Sequence, residues 1–240
     1  AATAARLAEL GASGIDLNCA CPTRVVVSNG AGGGLLRQPD WIHAALVALR
    51  AAVPCMVSVK LRSGYASAAE MQHILPAVQA AAPDMVILHF RTVREAYLPV
   101  AGALERFAEA RALLPQCLLL ASGDMFSVAD ARQLWRAAQV DGVTVARGLM
   151  RNPWLLRQLH DACRGVVTLA PTPTALLAFL DSAAELCQAG NSPRIGQVLQ
   201  LAQAMFGADS EIFAGLARLQ TPTQARVYLQ AQQQHKVGGG

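Results

Sequence analysis

Five short apolar runs, each closed by polar residues and separated from the next by a segment of helical periodicity, constrain this chain most. They are Ile15–Ala20, Met56–Leu61, Met85–Phe90, Cys117–Ala121 and Val143–Ala146. Each is rich in Val, Ile or Leu and reads as apolar on both faces, as a buried parallel strand does. The segments between them, such as Pro39–Ala52 and Val128–Ala138, repeat apolar residues at helical spacing. Pro39 and Asp40 suit a first helical turn, and Ser127 with Asp130 suits a capped start. Alternation of this kind folds as a parallel α/β sheet or barrel.

Near Gly165 the pattern changes. Residues 166–173 form a linker with two prolines, and only helical signals follow: Thr174–Ala189, Arg194–Phe206, Ser210–Leu219 and Thr223–Gln234. Pro193 and Pro222 suit helix starts, while Gly190-Asn191 and Gly207 suit stops. The expected division is therefore 1–165 for the α/β part, 166–173 for the linker and 174–240 for a helical domain.

The ends of the apolar runs carry the chemistry. The first ends with Asn18 and Cys21, the second with Lys60-Leu61-Arg62 and the third with His89-Phe90-Arg91-Thr92. The fourth ends with Ser122-Gly123-Asp124 and the fifth with Ala146-Arg147-Gly148. In an α/β barrel all such ends meet at one mouth, where convergent polar groups make a ligand site. Backbone N–H groups at Gly123 and Gly148, with Arg147 beside them, suit a phosphate. Nearly every cation is arginine, and only Lys60 and Lys236 are lysines. A compact ammonium at a strand end suits a confined site, although a snorkelling surface lysine is the plainer reading.

Composition removes several classes. With 53% hydrophobic and 15% charged residues the chain is globular, and no apolar run approaches the ~20 residues that span a membrane. No secretory leader is read at Ala1. Six scattered cysteines do not make a disulfide framework, so a reducing cytoplasm is expected. Cys19-x-Cys21 has no second Cys or His pair at matching spacing, and no metal is expected. Trp41 and Trp154 are expected to pack helices against the sheet, and His43, His73 and His160 to face solvent from helices.

The stretch Gly14–Trp41 resembles the signature of the flavin-dependent tRNA-dihydrouridine synthases, in which Asn-x-Gly-Cys-Pro precedes a glycine-rich turn and Leu-Leu-(Arg/Lys)-x-Pro. The matching residues are Asn18, Cys21, Pro22, Gly30, Gly32, Leu35, Leu36, Arg37 and Pro39. Lys60 and Arg62 match Val-Lys-(Ile/Val/Leu)-Arg, and His89, Arg91 and Thr92 match His-Gly-Arg-Thr. Gly123 and Asp124 fall on Asn-Gly-(Asp/Glu), and Arg147 and Gly148 on Gly-Arg-Gly, followed by Asn152-Pro153-Trp154. Pro193-Arg194-Ile195-x-Gln197 resembles the helical domain of the subgroup acting on uridine 16 of tRNA, as does Gly32-Gly33-Gly34.

The resemblance implies a (β/α)8 barrel of the TIM type, of which this chain would hold the last five strands, plus the C-terminal helical domain. That makes it either a fragment of a longer product or a decayed relative, and an open remnant would be poorly stable alone. It also implies FMN as cofactor, NADPH as reductant, tRNA as partner, no membrane, and a cytoplasmic monomer. Cys21 would be the acid that protonates C5 of the uracil after hydride reaches C6; at an ordinary thiol pKa of about 8.5 it is mostly protonated near neutrality. Lys60, His89, Ser122, Gly123, Asp124, Ala146 and Arg147 would hold the cofactor, and Asn18, Arg62, Arg194 and Arg218 the RNA. Phe90, Ser122, Ala146 and Gly196 depart from the family's Gly, Asn, Gly and Lys, and Cys19-Ala20 replaces x-Gly before Cys21. The competing reading is a noncatalytic remnant, an RNA-binding module that has lost the flavin; a weaker one is another FMN barrel acting on a small molecule.

Overall fold

In the computed structural model, residues 1–190 and 194–237 are described. Asn191 and Pro193, expected as helix punctuation, lie outside them. The chain divides into two compact units, 1–125 with 129–145 and 126–128 with 146–240.

The first unit holds one sheet of five parallel strands in sequential order: β1 Gly14–Cys19, β2 Met56–Arg62, β3 Met85–His89, β4 Leu118–Ser122 and β5 Gly142–Thr144. Each lies within two residues of its expected position. The helices are α1 Ala2–Glu9, α2 Arg24–Ser28, α3 Pro39–Ala52, α4 Met71–Ala80, α5 Ala103–Leu113 and α6 Val128–Ala137. Helix α3 has the bounds expected for it, with Pro39 at its start and Asp40 in its first turn.

The register separates two faces. Asn18, Lys60, Ile87, Leu120 and Gly142 are aligned across the sheet, as are Arg62, His89, Ser122 and Thr144 one step further along. Register partners share a face, and alternate residues point to the other. That other face carries Cys19, Val57, Val59, Leu61, Val86, Leu88, Leu119 and Ala121, all fully buried. Ile42 and Leu46 of α3, Ile74 and Leu75 of α4, Phe107 of α5 and Ala131 of α6 complete the core. Strands apolar on both faces, as expected from sequence, are thus not what folds: one face is core and the other is polar toward the strand ends.

A five-residue helix, α2, precedes the glycine-rich turn, and Gly32–Arg37 forms a 3-10 segment before α3. Trp41 is 46% exposed. His43 is half-buried, its Nδ1 3.0 Å from the Ala77 carbonyl oxygen of α4.

The second unit contains α7 Arg147–Arg151, α8 Leu155–Cys163, α9 Pro173–Ala189, α10 Gly196–Phe206, α11 Glu211–Leu216 and α12 Pro222–Val237. Leu177, Leu180, Ala184, Val198, Ala202, Ile212, Leu216, Ala225 and Leu229 form its core. Thr172 caps α9 and Ser210 caps α11 through side-chain oxygens that accept backbone N–H bonds. Gly207 ends α10 at φ 89°, a conformation open to glycine. Trp154 packs on Phe179 within these helices, with ring centroids 5.9 Å apart. Among the described residues no helix is long and apolar enough to cross a membrane.

Candidate active site

The polar face of the first unit ends in a cluster built around Cys21. Asn18, at the end of β1, accepts N–H bonds from Ala20 at 3.0 Å and Cys21 at 3.2 Å through Oδ1, which folds the turn that presents the cysteine. Its Nδ2 has no partner among the described residues, leaving two donors on the exposed side of the turn. From below, the Gly33 N–H donates to the Cys21 carbonyl at 2.9 Å. A Cβ on Gly33 would lie 2.5 Å from Val93 Cγ2 and 3.0 Å from the Cys21 oxygen, and one on Gly32, at φ 54°, 2.8 Å from Val26 Cγ1. The glycines are therefore required by close approach to the cysteine loop.

Two neighbouring cysteines are set apart by the end of the strand: Cys19 is the last residue of β1, and Cys21 lies in the turn folded by Asn18. Cys19 points into the core, where burial, helped by the Asp16 charge, pushes its pKa up to about 12. Cys21 stands at the mouth, and its thiol donates to Thr23 Oγ1 at 3.4 Å. Hydrogen bonding with the Thr23 side chain and backbone holds the Cys21 pKa below its ordinary value, with smaller help from the Arg62 and Lys60 charges. That direction eases proton release, so Cys21 and not Cys19 is the thiol able to act as an acid.

Lys60 reaches the same face. Burial, then the Arg62 charge, pull its pKa down, while Asp16 and Cys21 oppose the shift. Its ammonium has no hydrogen bond or ion pair among the described residues, which favours an anionic group beside it. His89 is neutral: burial first, then Arg62, Lys60 and Arg91, bring its pKa to about 3. The Arg91 N–H donates to His89 Nδ1 at 3.2 Å, so the ring proton sits on Nε2.

Arg62 is 3% exposed and grips backbone. Its Nε donates to the Ala20 carbonyl at 2.8 Å, and Nη1 to those of Thr92 at 3.0 Å and Ala96 at 2.9 Å. It thereby ties the residue before Cys21 to the loop after β3. Arg91 and Arg106, which the sequence reading did not single out as site residues, hold the same loop. Arg91 donates to the Leu98 carbonyl at 2.6 Å and pairs with Asp124; Arg106 donates to the Phe90 carbonyl at 2.8 Å and forks onto Glu95 at 2.7 and 2.9 Å. Arg106 holds the Glu95 pKa down at about 2. Tyr97, also unanticipated, stands 61% exposed with Arg62 5.8 Å from its ring. The signal available in the sequence was the density of arginine and tyrosine in Arg91–Tyr97.

Phe90 fits without entering the polar face. It packs edge-on against Phe107 of α5, centroids 6.2 Å apart, and lines a cavity of about 220 Å³ with Met125 and Leu134. Gly123, at φ 119°, lies under it, and a Cβ there would meet Phe90 Cε1 at 2.6 Å. Ser122 is buried in register with His89, and Asp124 is the partner of Arg91.

The remaining expected site residues lie in the second unit. Ala146 precedes α7, and Arg147 is its first residue, exposed, 5.9 Å from the Phe126 ring. Arg194 is exposed ahead of α10, and Arg218 is exposed after α11.

Comparison with known proteins agrees with this geometry. The family described as Dihydrouridine synthase (Dus) matches residues 1–202. The chain is 35% identical over 159 residues to the tRNA-dihydrouridine(16) synthase of Escherichia coli K12, covering 65% of this chain and 50% of that protein. It is 34% identical over 155 residues to the enzyme of the same name from Vibrio parahaemolyticus, covering 64% and 48%. To the mouse protein named tRNA-dihydrouridine(20a/20b) synthase [NAD(P)+]-like it is 32% identical over 145 residues, covering 59% and 44%. The chain spans about half the length of the curated relatives it matches. With the cysteine turn, the lysine and histidine strand ends and a family match over most of its length, this chain belongs to the dihydrouridine synthase family.

Proposed function

We propose that this protein is an FMN-dependent oxidoreductase that reduces a uridine of tRNA to 5,6-dihydrouridine, with NADPH as reductant and position 16 of the D-loop as target. The observation that carries the proposal is the Cys21 thiol, presented by the Asn18 turn at the mouth that Lys60, Arg62 and His89 share. When bound, FMN reduced by NADPH supplies the hydride that adds to C6 of the uracil. Cys21 delivers the proton to C5, so one hydride and one proton saturate the double bond, and the thiolate regains its proton from solvent. Asn18 orients the uracil through its unpartnered amide, and buried Arg62 keeps the cysteine turn and the 92–98 loop in place beneath the bound RNA.

The residues present suit the cofactor. The Lys60 ammonium and the buried Nη1 of Arg91 have no partner among the described residues, a donor set that an anionic group would satisfy. Lys60 is assigned the pyrimidine edge, where negative charge gathers on reduction, and neutral His89 an Nε2–H bond. Ser122, Gly123 and Asp124 are assigned to the cofactor's polar tail; the family resemblance adds Ala146 and Arg147. In this reading residues 1–165 are catalytic, 166–173 a linker and 174–240 a tRNA-binding domain that uses Arg194 and Arg218. The position is supported by the names of the bacterial relatives, as the mouse relative carries another.

The visible absorbance of the purified protein after addition of FMN tests the reading. A flavin spectrum that survives desalting is expected, and Lys60→Ala should lose most of it. A protein that stays colourless contradicts the proposal.

A further inference from the structure

Five arginines of the first unit are already neutralised. Arg6 pairs with Glu9, Arg50 with Asp84, Arg91 with Asp124, Arg106 with Glu95 and Arg111 with Asp141. Arg24, Arg132 and Arg136 are exposed with no ion pair among the described residues, and so are Arg37 and Arg94. Arg37 and Arg94 converge on one ring. The Arg37 guanidinium carbon lies 4.6 Å from the centroid of Tyr65, and that of Arg94 lies 5.9 Å from it. A guanidinium against an aromatic face keeps its plane fixed and its N–H edge available, the geometry that suits a phosphate fork.

This group is built onto the cysteine loop. Arg37 ends the 3-10 segment whose Gly33 bonds the Cys21 carbonyl, and its Nε donates to the Gly34 carbonyl at 3.3 Å. The Val93 side chain packs on Gly33 from the other side. The Val93 N–H donates to the Gly64 carbonyl at 3.0 Å and the Arg94 N–H to the Tyr65 carbonyl at 3.0 Å. Three separate segments thus bring two cations without acidic partners to one tyrosine, and Gly33 joins one of those segments to the Cys21 carbonyl. Holding like charges together without a counter-ion is unfavourable, and an anion that bridges them reverses the sign.

Resting on the tRNA reading above, we infer that Arg37 and Arg94, aligned by Tyr65, clamp the phosphate backbone of the RNA strand next to the nucleotide held at Cys21. The contact is sequence-independent and sets the register of the strand over the mouth, separately from the helical unit. Each phosphate contact contributes about 0.7–0.9 to the slope of log affinity against log salt. Over a fourfold change in salt, one contact therefore accounts for roughly a threefold change in affinity.

The test is the anisotropy of fluorescently labelled tRNA titrated with the full chain between about 50 and 200 mM salt. Arg94→Gln should lower the slope by about one, and the Arg37→Gln/Arg94→Gln pair by about two, with thermal melts unchanged. Arg37→Lys should retain most of the slope, and Arg132→Gln, an exposed arginine on α6, all of it. Wild-type binding with unaltered slopes in the Gln variants overturns the clamp and leaves the tRNA reading standing. Unaltered slopes together with a raised NADPH requirement also overturn it, since the two cations would then serve the nucleotide reductant. If the wild-type chain binds no tRNA at this salt, the tRNA reading fails and the clamp with it.

Discussion

Replacing Arg62 with methionine keeps most of the side-chain volume and removes every donor. Three carbonyls, of Ala20, Thr92 and Ala96, then lose a charged partner at 2.8–3.0 Å in a place where Arg62 itself is 3% exposed. Hydrogen bonds to a charged group contribute about 1.5–3 kcal/mol each, so a simple sum would reach roughly 4.5–9 kcal/mol. The bonds share one group, and relief of its burial opposes the loss, which brings the net cost to about 2–4 kcal/mol. Against a total of about 5–15 kcal/mol for a domain, that is a large fraction. Urea unfolding followed by circular dichroism should show a midpoint lowered by roughly 1 M with little change in slope. Arg62→Lys should recover less than half, because one ammonium cannot reproduce a planar fork spanning two loops. A methionine variant as stable as the wild type, or more so, would refute the claim that Arg62 braces the mouth.

Three further outcomes are expected. Cys21→Ala should lower dihydrouridine formation by about 10²–10⁴-fold while flavin-dependent NADPH oxidation continues, measured by product mass and by absorbance at the nicotinamide band. Because His89 titrates near 3 when folded and near 6.5 when unfolded, the unfolded chain gains a proton first as pH falls. His89 should therefore cost the fold nothing above pH 7 and about 2 kcal/mol by pH 5, and His89→Gln should flatten that part of the pH–stability curve. Gly33→Ala should destabilise by about 1–3 kcal/mol through overlap with Val93 and the Cys21 carbonyl, read as a lowered melting midpoint; an unchanged midpoint would mean that the glycines are not needed for close packing.

The five strands and the polar residues that close them were legible because buried β runs and their polar ends are local signals. Helix α3 was legible to the residue because Pro39 opens it and Val53-Pro54 cannot continue it. Helix α2 was not: Arg24-Val-Val-Val-Ser28 is short and β-branched, and it is helical because the following glycines fold back over it. The two sheet faces were legible but passed over: Asp16, Asn18, Ser58 and Lys60 alternate with apolar residues, which marks one polar face and not strands apolar on both. The partners of Arg62 were invisible for a different reason: all three are backbone carbonyls, which leave no trace in residue identity. His43 likewise read as a surface residue because its acceptor is the carbonyl of Ala77 on another helix. The separation of Cys19 from Cys21 was not legible from the period of two, which puts both on one face; it comes from the Asn18 turn that ends the strand between them.

The most direct measurement is a map of dihydrouridine in tRNA from cells lacking the gene for this protein, complemented by wild type or by Cys21→Ala. Loss of dihydrouridine at position 16, restored by the wild type and not by the variant, is the predicted result; an unchanged map at every position would contradict the assignment of this mouth to uridine reduction.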